Sequence, residues 1–159
     1  MRTLAILGLV AMELTVMGCG SKSSTTSTTQ TANGLWESAL IGKDAGVGVF
    51  NFTTSFTIGG DGTLSVTYFS FLTTGPCFAL TGDTTSGSLT GTTTGTNASG
   101  TFQFSVQSNG NTLAMTGTAT GTTDSSGNTT WTSITGTWTL TGGANCAGTG
   151  TFTMKQTAA

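Results

Sequence analysis

Few side chains in this sequence can do acid–base, thiol or metal chemistry. They are Cys19, Cys77 and Cys146 and the acids Glu13, Glu37, Asp44, Asp61, Asp83 and Asp124; histidine is absent. Without histidine there is no Ser-His-Asp triad and no imidazole general base. Glycoside cleavage needs two carboxylates flanking a cleft. Asp61 and Asp124 instead sit in Gly- and Ser-rich stretches that read as hairpin turns, where Asp is a turn former. Glu37 falls on the solvated side of an alternating stretch. Asp61 with Asp83 or Asp124 lacks the spacing of a calcium loop. No His and no fourth Cys completes a tetrahedral metal set, and no Gly-rich run precedes a helix to cradle phosphate. The residues point to no catalytic site, no metal and no cofactor, and so to a protein that is not an enzyme.

The thiols say more. Cys19 closes a mostly apolar run from Leu4 to Met17, preceded by one charge at Arg2. The run is too short to span a bilayer and suits the core of a signal peptide. Val16-Met17-Gly18-Cys19 resembles the lipobox of bacterial lipoproteins. The resemblance implies cleavage after Gly18, a diacylglycerol on Cys19 and an address in the cell envelope. Gly20, rather than Asp, follows the cysteine, which implies the outer membrane, on its periplasmic or surface face. Two or three acyl chains anchor stably, so attachment asks nothing of the folded domain. With Cys19 acylated, Cys77 and Cys146 remain and can pair in an oxidising compartment. The bridge would close 70 residues, counted inclusively, and contribute about 4 kcal/mol in the chain-entropy model. Two free thiols are the alternative.

The chain divides in three: 1–18 as signal peptide, 19–33 as lipidated Cys and flexible Ser/Thr-rich tether, and 34–159 as one β-domain. After residue 18 only Lys22, Lys43 and Lys155 oppose Glu37, Asp44, Asp61, Asp83 and Asp124. That balance excludes nucleic acid, which needs clustered Lys and Arg.

From Gly34 onward no helical period appears, and apolar residues alternate with Thr and Ser. Phe50, Phe52, Phe56 and Ile58 share one face; so do Leu64, Val66 and Tyr68; Phe102, Phe104 and Val106; Ile134, Trp138 and Leu140; and Phe152 and Met154. One dry and one hydroxylated face is the mark of antiparallel strands. Phe69 and Phe71 break parity with Tyr68, which predicts a bulge there. Turn residues at 59–62, 109–111, 124–128 and 142–145 delimit eight strands: 34–41, 47–58, 63–72, 86–94, 99–107, 111–121, 129–141 and 148–157. In an up-and-down meander Cys77 lies in the third connection and Cys146 in the seventh. Both are odd, so both lie at one end and can meet. The expected fold is an eight-stranded antiparallel up-and-down β-barrel, with a two-sheet β-sandwich as the alternative.

Gly34-Leu35-Trp36 resembles the Gly-x-Trp opening of calycin barrels, the lipocalin and avidin type. The resemblance implies that Trp36 plugs one barrel end with Lys155 packed over it, and that a small apolar ligand fills the lumen. The chain as a whole is similar to Gly/Thr-rich bacterial lipoproteins, which imply no activity. Trp131 is out of phase with Ile134, Trp138 and Leu140. It is expected to face outward, either shielding the rim or anchoring a glycan or an envelope protein. Trp36 and Trp131 are the candidate contacts for a ligand or partner. The expected role is non-enzymatic binding or structure in the envelope, held to the membrane by lipid on Cys19.

Overall fold

The computed structural model describes residues 29–32, 34–43, 50–72, 77–78, 83–143 and 145–158. The signal segment, Cys19 and most of the tether lie outside the described residues. Strict alternation of apolar and hydroxyl side chains, with Gly at the corners, yields strands throughout and no helix among the described residues. They are β1 (Gln30–Thr31), β2 (Leu35–Gly42), β3 (Phe50–Ile58), β4 (Leu64–Phe71), β5 (Thr84–Thr94), β6 (Asn97–Ser108), β7 (Asn111–Thr123), β8 (Thr129–Thr141) and β9 (Gly148–Ala158).

Strands β2 to β9 form one sheet in the order β4-β3-β2-β9-β8-β7-β6-β5. The first long strand pairs antiparallel with the last over eight residue pairs, from Leu35↔Ala158 to Gly42↔Gly150. Pairing of first and last strands curls the meander into a nearly closed up-and-down barrel rather than a two-sheet sandwich. The seam between β4 and β5 is held by the antiparallel bridge Thr63↔Ser88 and by the Leu89 N–H donating to the Gly62 carbonyl at 2.7 Å.

The wall is double-faced. Trp36, Leu40, Phe52, Phe56, Leu89, Phe102, Val106, Leu113, Met115, Ile134, Phe152 and Met154 are buried inside. Outside, Thr90, Thr101, Thr118, Thr135 and Thr153 stand in lateral register across five strands. Their hydroxyls hydrate a wall that carries little charge. At the β6–β7 turn, Asn109 and Gly110 adopt φ of 49° and 75°, the paired positive values of the tightest hairpins.

The register slips at three places: between Leu35 and Trp36, which face Ala158 and Gln156 and leave Thr157 extra in β9, and at bulges in β4 and β8. In β4 the register slips between Ser55 and Phe56, which face Tyr68 and Val66, so Thr67 is the extra residue. The parity break at Phe69 is thus a bulge, as the sequence suggests. The same slip turns Tyr68 outward, 49 % exposed, instead of inward with Leu64 and Val66. In β8 the register slips between Thr120 and Gly121, which face Ser133 and Trp131, and Thr132 is the extra residue.

One strand was not legible. Gln30–Thr31 lie in the segment expected to be tether, yet pair in parallel with Thr129–Thr130 of β8. The edge is free there because β9 has left β8 beyond Ser133↔Lys155 to follow β2. Backbone groups left unpaired by that divergence are the reason the chain adds two residues to the sheet.

Candidate functional site

The turns between strands gather at two ends. One end carries turns 59–62, 95–96 and 124–128 and both termini of the described chain; the other carries 109–110, 142–143, Cys77 and Cys146. Cys77 and Cys146 lie at disulfide-bonding distance with Cα atoms 5.4 Å apart, as the odd-connection argument requires. Asn111 ties this rim together. Its side-chain N–H donates to the Cys77 carbonyl and its Oδ1 accepts the Gly143 N–H at 3.0 Å. One buried amide thus joins the third, fifth and seventh connections. The sequence marked Asn111 only as a turn residue; its bracing role exists only once three distant loops converge.

The lumen is occupied by rings from facing walls. Phe52 of β3 and Phe104 of β6 stack with centroids 6.1 Å apart, and Phe102 of β6 reaches Phe152 of β9 at 6.1 Å. Phe50 and Trp138 meet edge to face at 5.4 Å near the disulfide rim.

Both candidate contact tryptophans belong to this interior. Trp36 is fully buried at the opposite end, stacked on Phe56 at 5.6 Å, and its indole N–H donates to the Ala32 carbonyl at 3.0 Å. It closes the barrel end from inside, bonded to Ala32, and offers no surface to a partner. Lys155 does not cover it: Gln156 is the residue opposite Trp36, while Lys155 stands on the outer wall opposite Glu37. Trp131 is 1 % exposed, against the expectation of an outward side chain. The Thr132 bulge turns it inward, over Gly91 and Gly100, where a Cβ would fall 2.4 and 2.8 Å from its Cη2. Its indole N–H has no hydrogen-bond partner.

The acids are dispersed. Asp61 Oδ1 and Oδ2 accept the backbone N–H and hydroxyl of Thr63 at 3.0 and 2.9 Å, and these bonds hold its pKa below the ordinary carboxylate value. Asp124 accepts the Asn128 side-chain amide and backbone N–H, both at 2.9 Å, with the same downward effect. Both are turn staples, as their sequence context implies. Among the described residues no three of Asp, Glu and Cys converge as a metal site.

The feature that sequence reasoning missed lies on the outer wall. Strand register sets Glu37 directly opposite Lys155, and beside them a shallow groove of about 370 Å³ runs past Ala39 toward Leu72. Two exposed apolar side chains, Ile41 (58 %) and Leu72 (57 %), lie at its disulfide end. Only the pairing of β2 with β9 brings this carboxylate and ammonium together, from residues far apart in the chain.

Comparison with protein-family models, with curated proteins and with solved structures returns no match. Function must therefore be argued from the molecule.

Proposed function

We propose that this chain is a lipid-anchored β-barrel domain of the cell envelope, attached through Cys19 and acting by non-enzymatic binding or as a structural element. The observation that carries this reading is the pairing of Cys77 with Cys146. It consumes two of the three cysteines and suits an oxidising compartment outside the cytoplasm. Cys19, at the end of the apolar run, is then the cysteine left for acylation.

The packed interior supports an outer-surface role over that of a lumenal carrier. A lipocalin-like carrier needs a ligand space of roughly 300 Å³ or more inside the barrel. Here Phe52, Phe104, Phe102 and Phe152 meet across that space, and Trp36 with Ala32 closes one end. The outer membrane is the proposed destination, on the sorting argument from Gly20.

Fatty-acid labelling and membrane fractionation test the reading. Native protein takes up label and sediments with membranes; Cys19→Ala does neither. Equal fractionation of the two refutes the anchor.

A further inference from the structure

The way the chain enters the barrel fixes which end faces the membrane. Strand β1 runs parallel to β8, and the Thr129 N–H donates to the Thr29 carbonyl at 3.0 Å. Thr29 therefore emerges beside the Asp124–Asn128 turn, at the end that also carries the Gly59–Gly62 and Gly95–Thr96 turns. Nine residues lie between Cys19 and Thr29, so ten residue-to-residue steps join them.

Lengths decide the orientation. The longest strands have 13 residues, which at barrel tilt stand about 33 Å tall. Ten residues span at most about 33–36 Å fully extended, and a random coil of that length has an r.m.s. reach of about 17 Å. Turning the disulfide end to the bilayer would demand an almost straight segment laid along the whole wall. Standing on the Asp124 end demands only a short step.

We infer that the domain, given the lipid on Cys19 proposed above, stands with its Gly60–Asp124 end toward its own bilayer and its Cys77–Cys146 rim outward. The near end presents Gly, Ser, Thr and two carboxylates in its turns, with Leu35, 37 % exposed, as the exposed large apolar side chain beside them, so it rests at the level of the headgroups. The far rim, with Ile41 and Leu72 close by, points away from the anchor. Those two side chains are the counterforce: an apolar pair prefers a bilayer to water, and only the chain length opposes it.

Gly60 and Gly143 suit a test, because a Cβ at either meets nothing within 4 Å. Replacing each in turn by benzoylphenylalanine, in the full-length lipidated protein on phosphatidylethanolamine–phosphatidylglycerol vesicles, allows photo-cross-linking to lipid. Mass spectrometry should find on the order of tenfold more lipid adduct from position 60 than from position 143. Equal yields, or more from position 143, overturn the orientation. A mature protein whose intact mass lacks lipid on Cys19 sinks the anchor itself, and that outcome is read separately from the cross-link ratio.

Discussion

The Trp131 ring fills the space that a side chain at Gly91 would need: a Cβ there falls 2.4 Å from Cη2 and 2.5 Å from Cζ2 of Trp131. Each residue explains the other. The indole is buried between β5, β6 and β8 because two glycines leave the wall bare beneath it. Gly91→Ala should therefore destabilise the barrel by about 1–3 kcal/mol through overpacking, and Trp131→Ala by about 3–5 kcal/mol through the cavity left. The double variant should lose less than the sum, since alanine then occupies vacated space. Denaturant unfolding of the four proteins checks this; strict additivity would mean the contact is not made.

The same pair marks where sequence reading stops. A bulge and an outward side chain leave one trace in a sequence: an apolar residue out of phase. At Phe69 the trace resolves itself, because Phe71 follows in the new phase and a second ring must be buried. At Trp131 the next residues, Thr132 and Ser133, are polar and give no vote. The evidence that decides it sits at Gly91 and Gly100, which only register places against Trp131. Eight strands were legible because alternation and turn chemistry are local. Strand β1 was not, since two residues in a Ser/Thr run carry no period, and their pairing follows from β9 leaving β8. The Glu37–Lys155 juxtaposition and the Asn111 knot are likewise products of closure.

Trp36 and Trp131 predict opposite responses to losing an indole N–H. Trp36→Phe removes the bond to Ala32 and leaves that buried carbonyl unpaired, at a cost of about 1–3 kcal/mol. Trp131→Phe removes a donor that has no partner, so only ring volume is lost. Hydrogen exchange adds a local readout. Trp36→Phe should speed exchange at Thr31 and its neighbours relative to β7, while Trp131→Phe should leave β1 protected. Equal effects would contradict the assigned bonding.

Reduction of the Cys77–Cys146 bridge should lower stability by about 2–5 kcal/mol, since it frees a long loop in the unfolded chain. Asn111→Ala should cost about 1–3 kcal/mol by leaving the Cys77 carbonyl and the Gly143 N–H unpaired. Both changes loosen one rim, so their costs should not add. Urea unfolding of wild type and Asn111→Ala, with and without reductant, measures the coupling. An additive result would show that the amide and the bridge act independently.

Stability should be flat from about pH 5 to pH 8 and fall only in acid. The chain has no histidine to titrate in the neutral range. Asp61 and Asp124 have folded pKa values held below 3.8 by bonds from Thr63 and Asn128. Each carboxylate therefore favours the folded state above its unfolded pKa, and that contribution disappears as pH falls through the lower, folded value. Asp61 matters doubly, because Thr63 makes the bridge to Ser88 that holds β4 to β5. Acid should open this seam before it unfolds the barrel, with hydrogen exchange at Leu89 rising ahead of exchange in β7. Asp61→Asn should bring the early exchange at Leu89 to neutral pH, and Asp124→Asn should flatten the acid limb without touching the seam. A seam equally protected at pH 3 and pH 7 would rule out this role for Asp61.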